Sequence, residues 1–515
     1  MPPTSPRTLR WWPAALILVL ATGVVLYAQL QSEWPFQQRN LWTLATGILT
    51  FLGLLIWWLF GSRIPWRMRF LGLTLLILLG MGWRTAFRLK GVSGDFVPII
   101  EARWKPAPGA TPANASPPSP IPITAPSPAT VLDFPQFLGP TRDAQLPGPA
   151  LSPDWTAQPP RLLWRQSIGG GWSGFALVGN RALTQEQHGP EERVTAYDLS
   201  SGALLWAHTN LARYDTTIAG EGPRGTPTVL SNRVYTLGAT GILDCLDLAT
   251  GKRLWTRSLP EDAKCPVPEW GYSGSPWTDG QKVVVQAGGG DGKSLLAYRA
   301  DTGEPLWSGG SAGVNYSSPY LVTLAGTPQF LIFGRKTLSS HDPQTGAVLW
   351  EYPFGVGMPL VANPILVSSN QVLITAGYNV GAELLAVSPG TNAPTSLWKS
   401  KRLKAKFANP VRRGDFVYGL DDGMMACLNL KDGSQAWKEG RYGHGQGLWI
   451  GEVYLLMSEA GELVLLQPTP EGPNERARLP VFDSKTWNPI ALQGDRVVVR
   501  NDREVACWQL PLAIR

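Results

Sequence analysis

Alternating apolar and polar positions recur over most of the chain after residue 160, in runs short enough for β-strands. Two such runs flank a short polar turn, and the second run ends on tryptophan. This arrangement is found in five stretches: "TAYDLSSGALLW" (195–206), "DCLDLATGKRLW" (244–255), "LAYRADTGEPLW" (296–307), "SSHDPQTGAVLW" (339–350) and "ACLNLKDGSQAW" (426–437). The pattern predicts a hairpin, because an aspartate such as Asp198 bonds backbone N–H groups two residues on and Gly202 supplies a positive φ.

Another pair of strand signals precedes the hairpins, as in "TPTVLSNRVYTLG" (226–238) and "NPVRRGDFVYGLD" (409–421). Each unit therefore contains four short strands. The tryptophans that end the units lie 42, 49, 52, 43, 48 and 39 residues apart; they are Trp164, Trp206, Trp255, Trp307, Trp350, Trp398 and Trp437. A period of roughly 40–50 residues with four strands per unit is typical of a β-propeller.

The two ends of the repeat region complete each other. The first unit, "PRLLWRQSI" (160–168), has a single strand, whereas the last stretch, 488–510, has three. A further unit at 461–482 keeps its strand pair but lacks the tryptophan near 479. Joining the terminal strands in one blade removes exposed sheet edges. We therefore predict an all-β, eight-bladed propeller of four-stranded blades over residues 131–515, with the tryptophans packed between neighbouring blades.

Three apolar segments occupy the start of the chain, which we predict to be a membrane anchor over residues 1–90. The first two, at 11–30 and 41–60, contain no charged residue and match the roughly 20 residues that a helix needs to cross a bilayer. The third, at about 70–87, spans only if Arg84 reaches the interface, and an interfacial helix is the alternative. No small-x-small site follows the first segment, so we expect this segment to be retained rather than cleaved.

The loop charges predict the orientation of the anchor. Positive residues favour the cytoplasmic side of a bacterial inner membrane. They cluster in the N-terminal tail and in the loop before the third segment: Arg7, Arg10, Arg63, Arg67 and Arg69. Three crossings then place the propeller in the periplasm, whereas two crossings would leave it in the cytoplasm. Residues 91–130, with nine prolines after position 105, are predicted to be an extended linker.

The charge distribution argues against nucleic-acid binding. The whole chain carries a formal charge of +7, but residues 1–105 contain eleven Lys and Arg against three Asp and Glu. The remainder is nearly balanced, with 34 basic and 35 acidic residues. A nucleic-acid reader needs a basic patch on its folded domain, so we expect no nucleic-acid partner.

The repeat pattern A-x-D-x-x-T-G-x-x-x-W, with cysteine in place of the alanine at 245–255, resembles the pyrroloquinoline-quinone (PQQ)-type propeller repeat. Quinoprotein alcohol and glucose dehydrogenases share this repeat with non-catalytic relatives such as the outer-membrane assembly lipoprotein of the β-barrel machinery. The resemblance covers about residues 131–510. Four motifs resemble those of bacterial members of the group: "FPQFLGPTRDA" (134–144), "GPRGTPTV" (222–229), "GYSGSP" (271–276) and "NYSSP" (315–319). The resemblance implies the fold and leaves the function open, because such folds host unrelated activities.

In a propeller, the loops that enter the innermost strands gather at one end of the central channel. Here these loops end on a small residue or an asparagine before proline, and polar and aromatic residues lie just ahead of it. We predict a funnel for a flat acidic ligand or a protein partner, formed by Arg224, Trp270, Tyr272, Asn315, Tyr316, Asn363, Lys406, Asn409, His444, Lys485 and Trp487. The structural alternatives are backbone bonding by the asparagines and packing of the aromatic rings between blades.

The resemblance also implies what a PQQ-dependent enzyme would require. Such an enzyme holds PQQ on an aromatic floor, binds Ca²⁺ through carboxylate and amide oxygens, and uses a carboxylate base. The candidates are Trp270 for the floor, Glu221, Glu269, Asn315 or Asn363 for calcium, and Asp421 or Glu269 for the base. The adjacent cysteine pair of several soluble relatives is missing from this sequence, although membrane-bound sugar-oxidising relatives lack it too.

The four cysteines and four histidines add no recognisable metal or haem motif. Cys245, Cys427 and Cys507 occupy the same strand position in separate blades and are predicted to be buried thiols, whereas Cys265 lies in a loop. The histidines are scattered without metal-ligand spacing, and the sequence contains no C-x-x-C-H motif.

Three functions are compatible with the sequence. The first is a membrane-anchored platform that faces the periplasm and binds a ligand or a protein. The second is a PQQ- and calcium-dependent dehydrogenase that oxidises alcohols or sugars and reduces membrane quinone. The third is a sensor of an external ligand, for which the cytoplasmic parts are short.

Overall fold

The chain divides into two compact units, Met1–Ala107 and Pro108–Arg515. The parts of the chain described by the computed structural model are residues 9–31, 34–104, 132–390 and 393–513. The proline-rich stretch of the predicted linker and the tail that carries Arg7 lie outside the described residues.

The N-terminal unit consists of three helices and a β-hairpin. Its elements are the α-helices Trp12–Leu30, Phe36–Ile56 and Trp66–Ala86, a π-helical turn Trp57–Gly61 that continues the second helix, and the antiparallel strands Phe87–Val92 and Pro98–Ala102. The hairpin occupies the start of the stretch that the sequence assigns to the linker. Arg88 lies opposite Glu101, and the two side chains pair at 3.3 Å. This part of the chain is therefore a paired hairpin rather than an extended spacer.

Two of the three helical segments are long and apolar enough to cross a membrane, judged by length and composition: Trp12–Leu30 and Phe36–Gly61. Many of their apolar side chains are exposed. The third helix, Trp66–Ala86, has a comparable length but carries Arg67 and Arg84 near its two ends. Two of the three expected spans therefore have the length and apolar composition of a membrane-crossing helix. The third does not, because its arginines shorten the apolar stretch.

Eight antiparallel sheets form a β-propeller, as predicted. Blade 1 consists of Ala176–Val178, Arg181–His188, Glu191–Asp198 and Leu204–Leu211, and blade 2 of Thr228–Leu230, Arg233–Leu237, Ile242–Asp247 and Arg253–Ser258. Blade 3 consists of Trp277–Thr278, Lys282–Gln286, Leu295–Arg299 and Pro305–Gly309, and blade 4 of Tyr320–Leu324, Thr327–Phe333, Thr337–His341 and Val348–Pro353. Blade 5 consists of Ile365–Ser368, Gln371–Ala376, Gly381–Ala386 and Thr395–Ser400, and blade 6 of Val411–Arg413, Phe416–Asp421, Met424–Asn429 and Gln435–Arg441. Blade 7 consists of Gln446–Ile450, Val453–Met457, Glu462–Leu466 and Glu475–Pro480. A short hairpin, Asp215–Thr216 with Gly220–Glu221, and a helical turn, Leu259–Ala263, lie in loops between blades.

Blade 8 closes the ring with strands from both ends of the propeller region. Its four strands, in sheet order, are Ala491–Gln493, Arg496–Arg500, Glu504–Gln509 and Arg161–Ser167. Arg500 is buried at the junction with blade 1 and donates hydrogen bonds to the carbonyl groups of Gly169 (2.8 Å) and Gln185 (2.9 Å). Closure therefore rests on a sheet ladder together with a buried guanidinium that joins blade 8 to blade 1.

Five of the eight blades are also fastened to the next blade by an indole hydrogen bond from their tryptophan. The indole of Trp164 in blade 8 donates to the carbonyl of Leu199 in the turn of blade 1 at 2.9 Å. The turn glycine, Gly202, has φ +76°, and a Cβ atom built there would lie 2.7 Å from the Trp164 ring. The same indole-to-turn bond recurs around the ring, from Trp206 to Leu248, Trp255 to Ala300, Trp398 to Leu430 and Trp437 to Thr469. The recurrent Trp and Gly thus form one contact between blades.

A segment ahead of the first blade crosses one end of the channel. We call residues 133–146 the cap segment; they include the "FPQFLGPTRDA" motif. Phe134 bridges Leu177 of blade 1, and Gln145–Leu146 adds a parallel fifth strand to blade 7. Between these points, the Arg142 guanidinium donates from Nη2 to the carbonyl of Ser275, beside blade 3, at 3.0 Å. The cap segment therefore links opposite sides of the ring.

The tryptophan contact predicts a steric effect at the turn glycines. Gly202→Ala meets both the left-handed backbone and the Trp164 ring, so we expect a loss of about 1–2 kcal/mol from the backbone and about 1–3 kcal/mol from overpacking. Gly179→Ala, in the same blade, has φ +56° but open space around its Cβ, so only the backbone loss applies. Chemical unfolding of the detergent-solubilised chain measures both variants. Equal losses would show that the indole does not bear on the turn.

Candidate functional site

Aromatic side chains converge on the mouth of the channel at the end opposite the cap segment. They come from the loops that enter the first strands and from one turn between a second and a third strand, which lie on the same face of an antiparallel blade. We call this set the funnel; its rings are Trp172, Tyr214, Trp270, Tyr316, Tyr378, Phe407 and Trp487. With His444 from the loop entering blade 7, every blade contributes to it.

The rings of the funnel contact one another in two groups. Trp487 lies 5.1 Å from Trp172 and 4.9 Å from Phe407, measured between ring centroids. On the other side, Trp270 and Tyr316 are stacked at 5.5 Å with 26° between their planes. These tilted and stacked arrangements are the favourable geometries for aromatic pairs. The funnel therefore presents flat apolar faces at the channel mouth.

Three cations lie over these rings. The Lys485 Nζ is 3.8 Å from the centroid of Trp487, and the Lys406 Nζ is 4.9 Å from that of Tyr378. The Arg224 guanidinium lies 4.4 Å over the ring of Tyr214. Each pair has the geometry of a cation–π contact. Burial lowers the pKa of Arg224 to about 10, which still leaves it charged at neutral pH.

Glu459 holds Trp487 in place. One carboxylate oxygen accepts the indole N–H of Trp487 at 2.9 Å, and the other accepts the backbone N–H of His444 at 3.0 Å. A side chain at Gly443 would collide with this carboxylate, since its Cβ would lie 2.5 Å from Oε2. The charge of Glu459 is thus engaged in hydrogen bonds that orient the funnel.

A belt of hydrogen bonds lies below the funnel, where the loops turn into the first strands. The backbone N–H of Asn363 donates to Oδ1 of Asn409 at 2.7 Å, and that of Ser318 donates to Oδ1 of Asn363 at 3.0 Å. The N–H groups of Ser275 and Thr226 continue the series to the hydroxyls of Ser318 and Ser275, each at 2.9 Å. The repeated small or Asn residue before proline is therefore a structural feature that connects blades 2 to 6.

Two predicted site residues are occupied within the protein rather than at the funnel surface. Tyr272 is buried, and its hydroxyl donates to the carbonyl of Ala287 at 3.1 Å. Asn315 is also buried; its Nδ2 donates to the carbonyl of Gly334 at 2.8 Å, and its Oδ1 accepts the N–H of Leu360 at 2.7 Å. Asn363 and Asn409 likewise lie in the belt. The remaining predicted residues lie in the funnel: Arg224, Trp270, Tyr316, Lys406, His444, Lys485 and Trp487.

The carboxylates suggested for catalysis or metal binding lie apart from one another. Asp421 is fully buried beside two ammonium groups, at 3.6 Å from Lys404 and 3.1 Å from Lys438. Glu221 forms an ion pair with Arg213 at 2.7 Å, and Glu269 is exposed. Among the described residues, no cluster of three His, Cys, Asp or Glu side chains that could hold a metal ion is present. The four cysteines are free, and only Cys265 is partly accessible.

Five residues of the site are absent from the set predicted from the sequence: Trp172, Tyr214, Tyr378, Phe407 and Glu459. For Trp172 a signal was available, because "GWSG" (171–174) repeats the form of "GYSG" (271–274) in the loop before an inner strand. Tyr378 and Glu459 lie in turns between second and third strands. Their place in the site follows only once the blades are arranged in a ring.

Comparison with known proteins agrees with this architecture. A family model described as outer membrane protein assembly factor BamB matches residues 190–439. The propeller belongs to the PQQ-like β-propeller family.

Members of this family with similar sequences include quinoprotein dehydrogenases. The alcohol dehydrogenase (quinone) dehydrogenase subunit of Gluconacetobacter polyoxogenes is 25% identical over 322 residues, which is 57% of this chain and 38% of that protein. Quinohemoprotein alcohol dehydrogenase ADH IIB of Pseudomonas putida is 32% identical over 152 residues, 27% of this chain and 21% of that protein. The chain thus spans well under half the length of these relatives.

Solved structures show the same fold at low sequence identity. The quinohemoprotein alcohol dehydrogenase of Comamonas testosteroni superposes with a TM-score of 0.51 at 13% identity, covering 74% of this chain and 81% of that chain. BamB of Moraxella catarrhalis superposes with a TM-score of 0.50 at 15% identity, covering 69% of this chain and 99% of that chain. These PQQ-like propellers include both a protein named as an enzyme and one named as an assembly factor.

A buried carboxyl group behind the funnel predicts a pH dependence of stability. Burial raises the pKa of Glu192 to about 7, and its carboxylate accepts the backbone N–H of Ala239 at 3.1 Å. The folded state therefore retains a proton that the unfolded state releases near pH 4.5, so this group destabilises the fold as pH rises towards 7. Relative to wild type, Glu192→Gln should gain unfolding free energy on the order of 3 kcal/mol between pH 4.5 and 8. Urea unfolding measures both proteins. If the difference in unfolding free energy between Glu192→Gln and the wild type were the same at pH 4.5 and pH 8, the raised pKa of Glu192 would be contradicted.

Proposed function

We propose that this protein is a membrane-anchored PQQ-repeat propeller that faces the periplasm and acts as a binding platform. The funnel binds an acidic, flat group carried by a small ligand or a protein partner. The observation that supports this function is the placement of three cations over an aromatic ring system to which loops of the blades contribute. An anionic ring system placed there would meet positive charge at its edges and aromatic faces on its flat side.

The charges around the funnel favour an acidic ligand. Arg224, Lys406 and Lys485 carry the positive charge. Of the nearby carboxylates, Glu459 accepts two N–H groups, Glu221 and Asp215 are paired with Arg213, and Glu269 is exposed. Such partly buried charges interact more strongly with an incoming anion than charges in bulk water do. The ligand therefore requires carboxylate or similar groups as well as a planar body.

The resemblance to quinoprotein dehydrogenases supports a second candidate function, oxidation of alcohols or sugars with PQQ and Ca²⁺. The funnel fits the flat, acidic part of that cofactor. The calcium part does not fit: Glu221 is paired with Arg213, Asn363 uses Oδ1 in the belt, and Asp421 lies between two lysines. The residues present therefore favour a platform over a calcium-dependent dehydrogenase.

The position of the propeller outside the cytoplasm is part of the proposal. Two helices have the length and composition of membrane spans. Trp66–Ala86 would be the third crossing, with Arg67 at its cytoplasmic end and Arg84 reaching the opposite interface. A tether to the inner membrane would retain the platform in the periplasm, where a partner protein could dock on the funnel face.

The funnel predicts PQQ binding that does not depend on calcium. PQQ is a planar tricarboxylic acid and serves here as a probe of the funnel, added to the detergent-solubilised chain while tryptophan fluorescence is followed. Lys485→Met should weaken binding about fivefold or more, since it removes a charge-assisted contact with a ligand carboxylate worth about 1 kcal/mol or more, and Trp487→Ala should weaken it further. Lys252→Met removes an exposed charge from blade 2 and should leave binding unchanged.

Two outcomes would contradict the platform. Absence of PQQ quenching in the wild type would show that the funnel does not receive acidic ring systems. Binding that requires Ca²⁺ and supports dye reduction with alcohols would instead establish the dehydrogenase.

A further inference from the structure

A second cavity lies at the far end of the channel, beneath the cap segment. Its volume is about 360 Å³, within the usual range of about 300–1,000 Å³ for small-molecule sites. The walls are formed by the cap segment and by the first strands of blades 4, 5 and 6, including the turn at Arg413 and Gly414. That turn joins a first to a second strand, so it lies on the face opposite the funnel.

Three buried side chains bring unpaired donors to this cavity. Arg142 is 4% exposed; its Nη2 donates to the carbonyl of Ser275, while Nε and Nη1 have no acceptor among the described residues. Asn363 and Asn409 are 4% and 6% exposed, and within the described part of the chain neither Nδ2 has an acceptor. All three residues line the cavity.

The orientation of the two amides is fixed by the belt. Each Oδ1 accepts a backbone N–H from the preceding blade. Within an amide group the oxygen can accept a hydrogen bond and the NH₂ group donates, so the Nδ2 must be the atom on the other side. Rotating the amide to offer oxygen to the cavity would place two donors against each other. The cavity therefore faces donor groups from blades 5 and 6 as well as the guanidinium of the cap segment.

The charges of the cavity wall are predominantly positive. Arg412 and Arg413 also line it, whereas Asp143 is the carboxylate among the lining residues. Asp143 is engaged by its own segment: its Oδ1 accepts the hydroxyl of Thr141 at 2.6 Å and the N–H of Gln145 at 3.1 Å, and its Oδ2 accepts Nε2 of Gln145 at 3.4 Å. Burial lowers the pKa of Arg142 to about 9. A buried guanidinium without a counter-charge is costly unless an anion pairs with it.

We propose that this cavity is a binding site for a small oxyanion, a carboxylate or a phosphate group, held by Arg142, Asn363 and Asn409. The guanidinium supplies two N–H donors and the positive charge, and the two amides supply donors from neighbouring blades. The volume leaves room for the organic part of a small acid. The cap segment itself contacts blades 1, 3 and 7. The bound ligand would connect the cap segment to blades 5 and 6 as well.

Isothermal titration of the full-length chain in detergent, in a Tris chloride buffer free of oxyanions, tests this site. The probes are inorganic phosphate in one arm and malonate and citrate in the other, which separates a phosphate from an organic carboxylate. We expect stoichiometric binding in at least one arm and a higher melting temperature with that probe. Arg142→Met should weaken binding about tenfold or more, because a charge-assisted pair is lost.

Asn409→Asp provides a second variant that keeps the shape of the side chain. Its carboxylate still accepts the N–H of Asn363 and adds a negative charge that faces Arg142. This variant should abolish oxyanion binding and, in the absence of a probe, melt at a higher temperature than the wild type. Arg253→Met, which removes an exposed charge from the outer strand of blade 2, should bind as the wild type does.

Two results would overturn the proposal. One is the absence of binding by phosphate, malonate and citrate at millimolar concentration. The other is binding that persists unchanged in Asn409→Asp, or in a folded Arg142→Met variant. The funnel residues take no part in these variants, so either result leaves the proposed function of the funnel untouched.

Discussion

At five of the eight junctions between blades, a tryptophan of one blade contacts the turn of the next, and this contact is the main recurring link of the propeller. At Trp164 the indole covers a glycine with positive φ and donates its N–H to the carbonyl of Leu199. Trp164 lies on the strand Arg161–Ser167, which pairs with the C-terminal strand Glu504–Gln509. The ladder joins the two ends of the propeller region, and the Trp164 contact then fastens the closing blade to blade 1. Ring closure then brings loops that are far apart in the chain to one channel mouth.

The ring separates structural and functional groups within the same loops. Just before the inner strands of blades 3 to 6, a serine or an asparagine accepts a backbone N–H of the preceding blade, as between Asn363 and Asn409. A few residues earlier, the side chains of Trp270, Tyr316 and Trp487 are at the surface of the funnel. The belt fixes the loop ends, so the residues ahead of it can differ between blades without loss of the fold.

The propeller could be predicted from the sequence in detail, because the same strand and turn pattern recurs in successive blades. The tryptophan period and the complementary terminal strands both depend on local patterns, and both are confirmed. The third membrane span was less secure, since Arg67 and Arg84 reduce the apolar length of that segment. The hairpin Phe87–Val92 with Pro98–Ala102 was missed, because its strands are short and lie beside a proline-rich stretch.

The candidate site could be predicted only in part. For the asparagines, backbone bonding and ligand binding were treated as alternatives. Asn409 combines a backbone bond with a place at a cavity, because its Oδ1 lies in the belt and its Nδ2 lies at the cavity beneath the cap segment. Arg142 lies within a motif that was noted for its family resemblance, but its burial depends on the cap segment crossing the channel. Such roles arise from contacts between distant parts of the chain, which no local pattern records.

Ring closure through blade 8 is tested most directly by a disulfide between its terminal strands. Arg161 and Gln509 are paired in register across that sheet, and directly opposed strand residues lie within the range a disulfide can bridge. In a Cys265→Ser background, Arg161→Cys with Gln509→Cys should form an intramolecular disulfide rapidly under mild oxidation, seen as a gel shift without reducing agent. Arg161→Cys with Gln435→Cys, which lies on blade 6, should not. Failure of the first pair to cross-link, or equal cross-linking of both pairs, would contradict the closed ring.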